Sequence, residues 1–285
     1  MADFCIICAA PRSGTTFLGD SVRRAYEAAW PGEIFYEVRL EPGIDPRNVE
    51  DRHARGNFFT LRARALHQRP ELTYPDIDAR RALFDLYLDS LRTGFPERRF
   101  LLDVKYTSWH HLDGYWRGPK DPPGLIELVR EKNIPVVHLV RQNVFALYCS
   151  QRLAETSGKW ERQAGTPANT GTLTIHPEEC HQWMIDMVNT QKMFTKWLAG
   201  CTVHALTYEN LLDRGSFAHE VAETFTAIFG SQPIRPWTTS FAKVLPPLNR
   251  VIENGQTVAD YFQGTEFESF VKSSLDSNGA SETTI

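Results

Sequence analysis

No run of apolar residues in this chain approaches the ~20 consecutive positions that a membrane-spanning helix needs. The first residues also lack the basic start and long apolar core of a secretory leader. The expectation is a soluble, cytoplasmic protein without a transmembrane segment. Cysteine is sparse: there are five, an odd number, and no second cysteine pair or histidine cluster completes a metal set around Cys5 and Cys8. Those two stand three apart in an apolar, strand-like run, on opposite faces of a sheet, and read as reduced core thiols. No metal is expected. Charge of one sign is lacking too. The formal net charge is −4, so no global basic field argues for nucleic acid, and any anion site has to be local.

What is present is enough apolar residue for one large domain. At 285 residues and 42% hydrophobic, the chain can bury a substantial core. We expect a single domain over residues 1–271 and a flexible tail over 272–285, where the sequence turns small and polar (KSSLDSNGASETTI). Short apolar runs (FCIICA at the start, FLLDVKY at 100–106, IPVVHLV at 134–140 and CTVHAL at 201–206) alternate with amphipathic segments. Leu83, Leu86, Tyr87 and Leu91 recur at near-helical spacing, as do Met184, Met187, Met193, Phe194 and Trp197. The alternation predicts an α/β fold with a central, mostly parallel sheet flanked by helices on both faces, and ligands at the carboxyl ends of the strands. Two stretches rich in Gly, Pro, Thr and Asn, 39–57 and 157–177, are long enough to carry function.

The first strand ends in Ala9-Ala10-Pro11, turns at Arg12-Ser13-Gly14, and enters a helix through Thr15 and Thr16. A strand, a glycine turn and a helix start gather backbone N–H groups and the positive end of a helix dipole around one point, where an anion fits. The plain alternative is an ordinary turn capped by Ser13 or Thr15. Against the ATP-loop pattern, Ala9 replaces the first glycine and Thr15 the lysine that reaches the β and γ phosphates. A cation stands before the glycine instead, at Arg12, which favours a nucleotide of lower charge than ATP.

The run Pro-Arg-Ser-Gly-Thr-Thr-Phe-Leu after an N-terminal strand resembles the 5′-phosphosulfate loop of sulfotransferases that use 3′-phosphoadenosine 5′-phosphosulfate (PAPS). Residues 136–160 resemble that family's 3′-phosphate element, with Arg141 at a strand end and Ser150 in the following helix. The spacing, with Asn143 between, is similar to the bacterial branch acting on carbohydrates and lipo-oligosaccharides, the nodulation- and trehalose-sulfotransferase-like proteins. ALTYENLL at 205–212 resembles the strand whose tyrosine, here Tyr208, lies near adenine; residues 246–270 resemble the same branch's C-terminal segment. The resemblance implies a P-loop-like three-layer fold, PAPS as co-substrate without a metal, and a small-molecule or glycan acceptor; a homo-oligomer is compatible with it. The donor-binding set it implies is Arg12, Ser13, Gly14, Thr15, Thr16, Arg141, Ser150 and Tyr208.

Sulfonyl transfer asks for in-line positioning and for charge to be neutralised on the leaving phosphate. Arg12, the loop amides, Thr15 and Thr16 suit that task. Lys105 either joins them or is an ordinary ion-paired lysine. A base must take the acceptor's proton. The cytosolic animal branch has a histidine two residues past the strand lysine, where this chain has Thr107. The sequence Pro31-Gly32-Glu33-Ile34-Phe35 resembles the bacterial pattern, so Glu33 is the expected base, with Glu37, His110 and His111 as alternatives and a surface carboxylate as the plain reading. Trp109, Tyr115, Trp116 and Trp160 are candidates for the acceptor side or for the core. Two competing readings stay open: a P-loop kinase or other NTPase with Asp103 as a magnesium ligand, and a binding protein without catalysis.

Overall fold

A computed structural model describes residues 2–36, 55–113, 118, 120–163, 165–166, 171–213, 216–241 and 245–276. Strand β1 (Phe4–Ala9) is buried along its whole length, as a strand covered on both faces must be. It pairs in parallel with β2 (Phe100–Lys105) on one side and β3 (Val136–Val140) on the other. Strand β4 (Val203–Thr207) extends the sheet as its parallel edge, giving the order β2-β1-β3-β4. This is the α/β arrangement that the alternating runs predict. The chain leaves β1 toward β2 and returns past it to β3. The order therefore reverses between β1 and β3, and the crevice at their carboxyl ends is the usual ligand position in such sheets.

Two cores fill the faces. Cys5, Ile7 and Ala9 of β1 join Leu101, Val137 and Leu139 under α1 (Thr15–Tyr26), together with Val221 and Phe225 from a helix over residues 219–229. Ile6 and Cys8 face the other way, toward Leu83 and Tyr87, Leu125 and Leu128, and Phe194 and Trp197. These come from α2 (Ile77–Gly94), α3 (Gly124–Glu131) and α5 (Pro177–Trp197). The two cysteines thus lie on opposite faces, and no cysteine is disulfide-bonded. Helix α4 (Val144–Ser157), capped by the Asn143 side chain on Ala146 N–H, belongs to a third cluster with Val258, Phe262 and Val271. Among the described residues no helix is long and apolar enough to cross a membrane.

The expected tail boundary at 272 falls inside a helix running Glu268–Leu275. Val271 and Ser274 are buried there, and Ser274 accepts a hydrogen bond from Asn143 Nδ2 at 2.9 Å. Polar composition misplaced that boundary because the last turn is held by a tertiary contact.

Candidate functional site

The loop between β1 and α1 adopts two left-handed residues, Arg12 at φ 65° and Gly14 at φ 84°. A left-handed non-glycine costs about 1–2 kcal/mol, and here the strained carbonyl of Arg12 accepts from Arg141 Nη1 at 3.1 Å. No side chain caps α1, so the plain alternative of a turn capped by Ser13 or Thr15 is not what forms. The helix start keeps N–H groups that an anion would satisfy. A Cβ on Gly14 would sit 2.7 Å from Tyr208 Cδ2, so the residue is glycine for contact as well as for φ.

The cation missing after Gly14 arrives from β2. In a strand, residues two apart share a face, and Asp103 and Lys105 both point toward α1. Lys105 Nζ donates to Thr15 Oγ1 and to both Asp103 oxygens, at 2.8 and 2.7 Å. Its fourth partner is Glu33, whose Oε1 lies 3.3 Å away. Glu33 is brought in by a short bridge to Asp103, with Ile34 N–H on the Asp103 carbonyl and Asp103 N–H on the Gly32 carbonyl. Its side chain is 43% exposed. Burial of the carboxyl raises the Glu33 pKa, Lys105 opposes that, and the charges of Asp103 and Glu161 add to it. A carboxylate so raised is better matched to proton abstraction near neutral pH.

A second cluster forms across the crevice. Arg141, at the end of β3, is 4% exposed, and its guanidinium lies over the Tyr208 ring at 4.5 Å. Its Nε and the Ser13 hydroxyl are buried without a hydrogen-bond partner. Arg12 turns its side chain the same way, Nε donating to Ser150 Oγ at 3.2 Å and Nη1 to the Trp160 carbonyl. Burial lowers the pKa of each arginine, and for Arg12 the charge of Arg141 adds to the effect. Ser150 thus faces Arg12, whereas the sequence pattern pairs it with Arg141; Arg141 is held instead by Tyr208 and the loop carbonyl. Glu209 holds the turn that carries Arg141, accepting from Gln142 N–H and Asn143 N–H at 3.0 Å each.

Several expected residues fall elsewhere. His110 Nδ1 meets Asp113 Oδ2 at 3.2 Å and its ring meets Trp197, while the His111 ring stands against Phe35 and Phe59. Lys105 Nζ has Glu33 beside it, and the contacts just named lead the two histidines to other partners. Trp109 is a correction: it is fully buried in the main core, packed on Phe194, and is no acceptor-side aromatic. Trp160 is 48% exposed. Glu37, Tyr115 and Trp116 lie outside the described residues. Asp103, the magnesium ligand of the competing NTPase reading, accepts from Lys105 on both oxygens.

Two further carboxylates join the site without a signal in the sequence. Glu209 sits in the Tyr-Glu-Asn run but acts on a turn 66 residues away in sequence, which no local pattern reports. Glu161 accepts from Thr16 Oγ1 at 3.2 Å and likewise has no spacing signal.

No family model matches the chain, and no curated protein matches it. Among solved structures it is similar to a sulfotransferase domain from the curacin biosynthetic pathway, at 14% identity over 81% of this chain and 75% of that one, with a TM-score of 0.40. It is also similar to a GTPase from Pyrococcus abyssi in its apo form, at 14% identity over 81% of this chain and 98% of that one, with a TM-score of 0.27. At such scores neither likeness says what this chain does.

Proposed function

We propose that the chain is a sulfotransferase that moves a sulfonyl group from PAPS to a hydroxyl of a carbohydrate, glycolipid or other small acceptor. The observation that carries the reading is the pair of largely buried guanidiniums at the strand reversal, with Arg141 Nε and Ser13 Oγ unpartnered, beside an uncapped helix start. Buried polar atoms without partners are uncommon and call for a ligand or other explanation. Two anion-receptive lobes side by side suit a nucleotide charged at both its 3′ and 5′ positions. Arg141, Arg12 and Ser150 would hold the 3′-phosphate; Ser13, Gly14, Thr15 and Thr16 the 5′-phosphosulfate, with Tyr208 toward the base. PAPS supplies the activated sulfonyl group.

The chain's own residues supply the rest. The acceptor oxygen forms its bond to sulfur as the sulfur–oxygen bond to phosphate breaks, and the electron pair stays on the departing phosphate, leaving 3′-phosphoadenosine 5′-phosphate. Glu33 takes the acceptor's proton. Lys105, joined to Thr15 and already within reach of Glu33, offsets charge gathering at the helix start.

The test is calorimetric titration with 3′-phosphoadenosine 5′-phosphate against ATP with magnesium, followed by turnover with PAPS and an acceptor panel. The expected result is binding of the first ligand and silence of the second. Binding of ATP with magnesium alone would sink the reading and favour the NTPase, against which stands the engagement of both Asp103 oxygens by Lys105. Glu33→Gln should lower turnover by about 10²–10⁴-fold. Because the base works only when ionised and its pKa is raised, kcat/KM in the parent protein should fall as pH drops through a value above the ordinary carboxylate range. That limb should vanish in Glu33→Gln.

A further inference from the structure

A short strap crosses the mouth of the loop. It begins at Gly158, the left-handed residue that ends α4, and its far end, Gln163, bridges to Phe241. Pinned at both ends, it lays two groups on residues assigned above to the donor. The Trp160 carbonyl accepts from Arg12 Nη1, and the Glu161 carboxylate accepts from Thr16 Oγ1 in the first turn of α1. The charge of Glu161 reaches both Arg12 and Glu33.

Resting on the donor reading, we infer that Glu161 is a resident anion of the donor site. Its carboxylate takes the Thr16 hydrogen bond that a phosphosulfate oxygen would take, and the donor must displace the strap to bind. The chemistry favours competition over coexistence. Thr16 has one hydroxyl proton to donate, and a carboxylate beside an incoming phosphosulfate repels it across a few ångströms. The site is then set by exchange of one anion for another, which keeps Arg12 and Thr16 partnered before the donor arrives and weakens donor affinity by the worth of those contacts.

The experiment is titration of the full chain, Glu161→Gln and Glu161→Ala with 3′-phosphoadenosine 5′-phosphate, combined with hydrogen exchange over 158–163 with and without that ligand. Glu161 is on the surface, and a thermal melt of each variant verifies folding. Both substitutions should tighten binding by about three- to tenfold, the net worth of one solvent-exposed hydrogen bond. The ligand should speed exchange in the strap of the parent chain. In a Thr16→Val background the gain from Glu161→Ala should shrink toward unity. Unchanged affinity in both variants, with strap exchange unaltered or slowed, overturns the inference and leaves the donor reading intact. Absence of binding by all three proteins overturns the donor reading and this inference with it.

Discussion

The two sides of the crevice hold their cations differently. On the β2 side, Lys105 is neutralised in place, with both Asp103 oxygens and Glu33 around one ammonium. On the β3 side, Arg141 lies close enough to Arg12 to help lower the Arg12 pKa, and among the described residues no carboxylate comes within ion-pair distance of either guanidinium. With one ammonium against two carboxylates, the first cluster has no surplus positive charge, and it sets geometry and proton affinity at the helix start. The second has no ion-paired carboxylate and holds the surplus positive charge, with the Glu161 carboxylate nearby on Thr16. A ligand's affinity should therefore reside on the arginine side and its chemistry on the lysine side.

The largest expected effect tests the lysine side. Lys105→Met strands the buried Asp103 carboxylate and should cost about 3–5 kcal/mol of stability, as breaking a buried pair by one partner does. The double variant with Asp103→Asn should recover most of it. Thermal and denaturant melts measure both, and an undiminished single variant would refute the account of Lys105 as a paired charge.

Next comes the arginine side. Arg141→Ala should weaken 3′-phosphoadenosine 5′-phosphate by about a hundredfold, the loss of roughly two charge-assisted contacts. Arg141→Lys should restore only part, because an ammonium lacks the planar fork that lies on Tyr208. Titration calorimetry decides. A full rescue by lysine would mean that only charge, and not the stacked geometry, is used.

The smallest effect sharpens the boundary between positioning and binding. Glu209→Gln keeps the side chain's shape but replaces one of the two accepting oxygens with an NH2 donor, so one of the two backbone hydrogen bonds is lost. It should raise the KM for PAPS about three- to tenfold with kcat little changed, since each such bond is worth on the order of 1 kcal/mol. A matching fall in kcat would place Glu209 in the chemistry instead.

Much of the fold is legible in the sequence. The parallel sheet follows from apolar runs separated by helical stripes, and the opposed faces of Cys5 and Cys8 follow from a period of two. The loop could be read because Gly14, two threonines and a preceding strand are contiguous, and backbone geometry there is local. The two-residue offset of Asp103 from Lys105 signals a shared strand face, but that the two side chains pair is visible only in the structure. The aromatic candidates were least legible, since Trp109 and Trp160 look alike in sequence and differ only in what covers them.

By itself, then, the sequence determined the layers, the strand order's ingredients and the glycine turn into the first helix, all properties of neighbours along the chain. The pairing of charges was decided in three dimensions. Arg12 reaches Ser150 across 138 residues and Lys105 reaches Thr15 across 90. Desolvation at the strand ends rewards whichever partner the packed sheet brings within hydrogen-bond distance, and no spacing along the chain records which one that is.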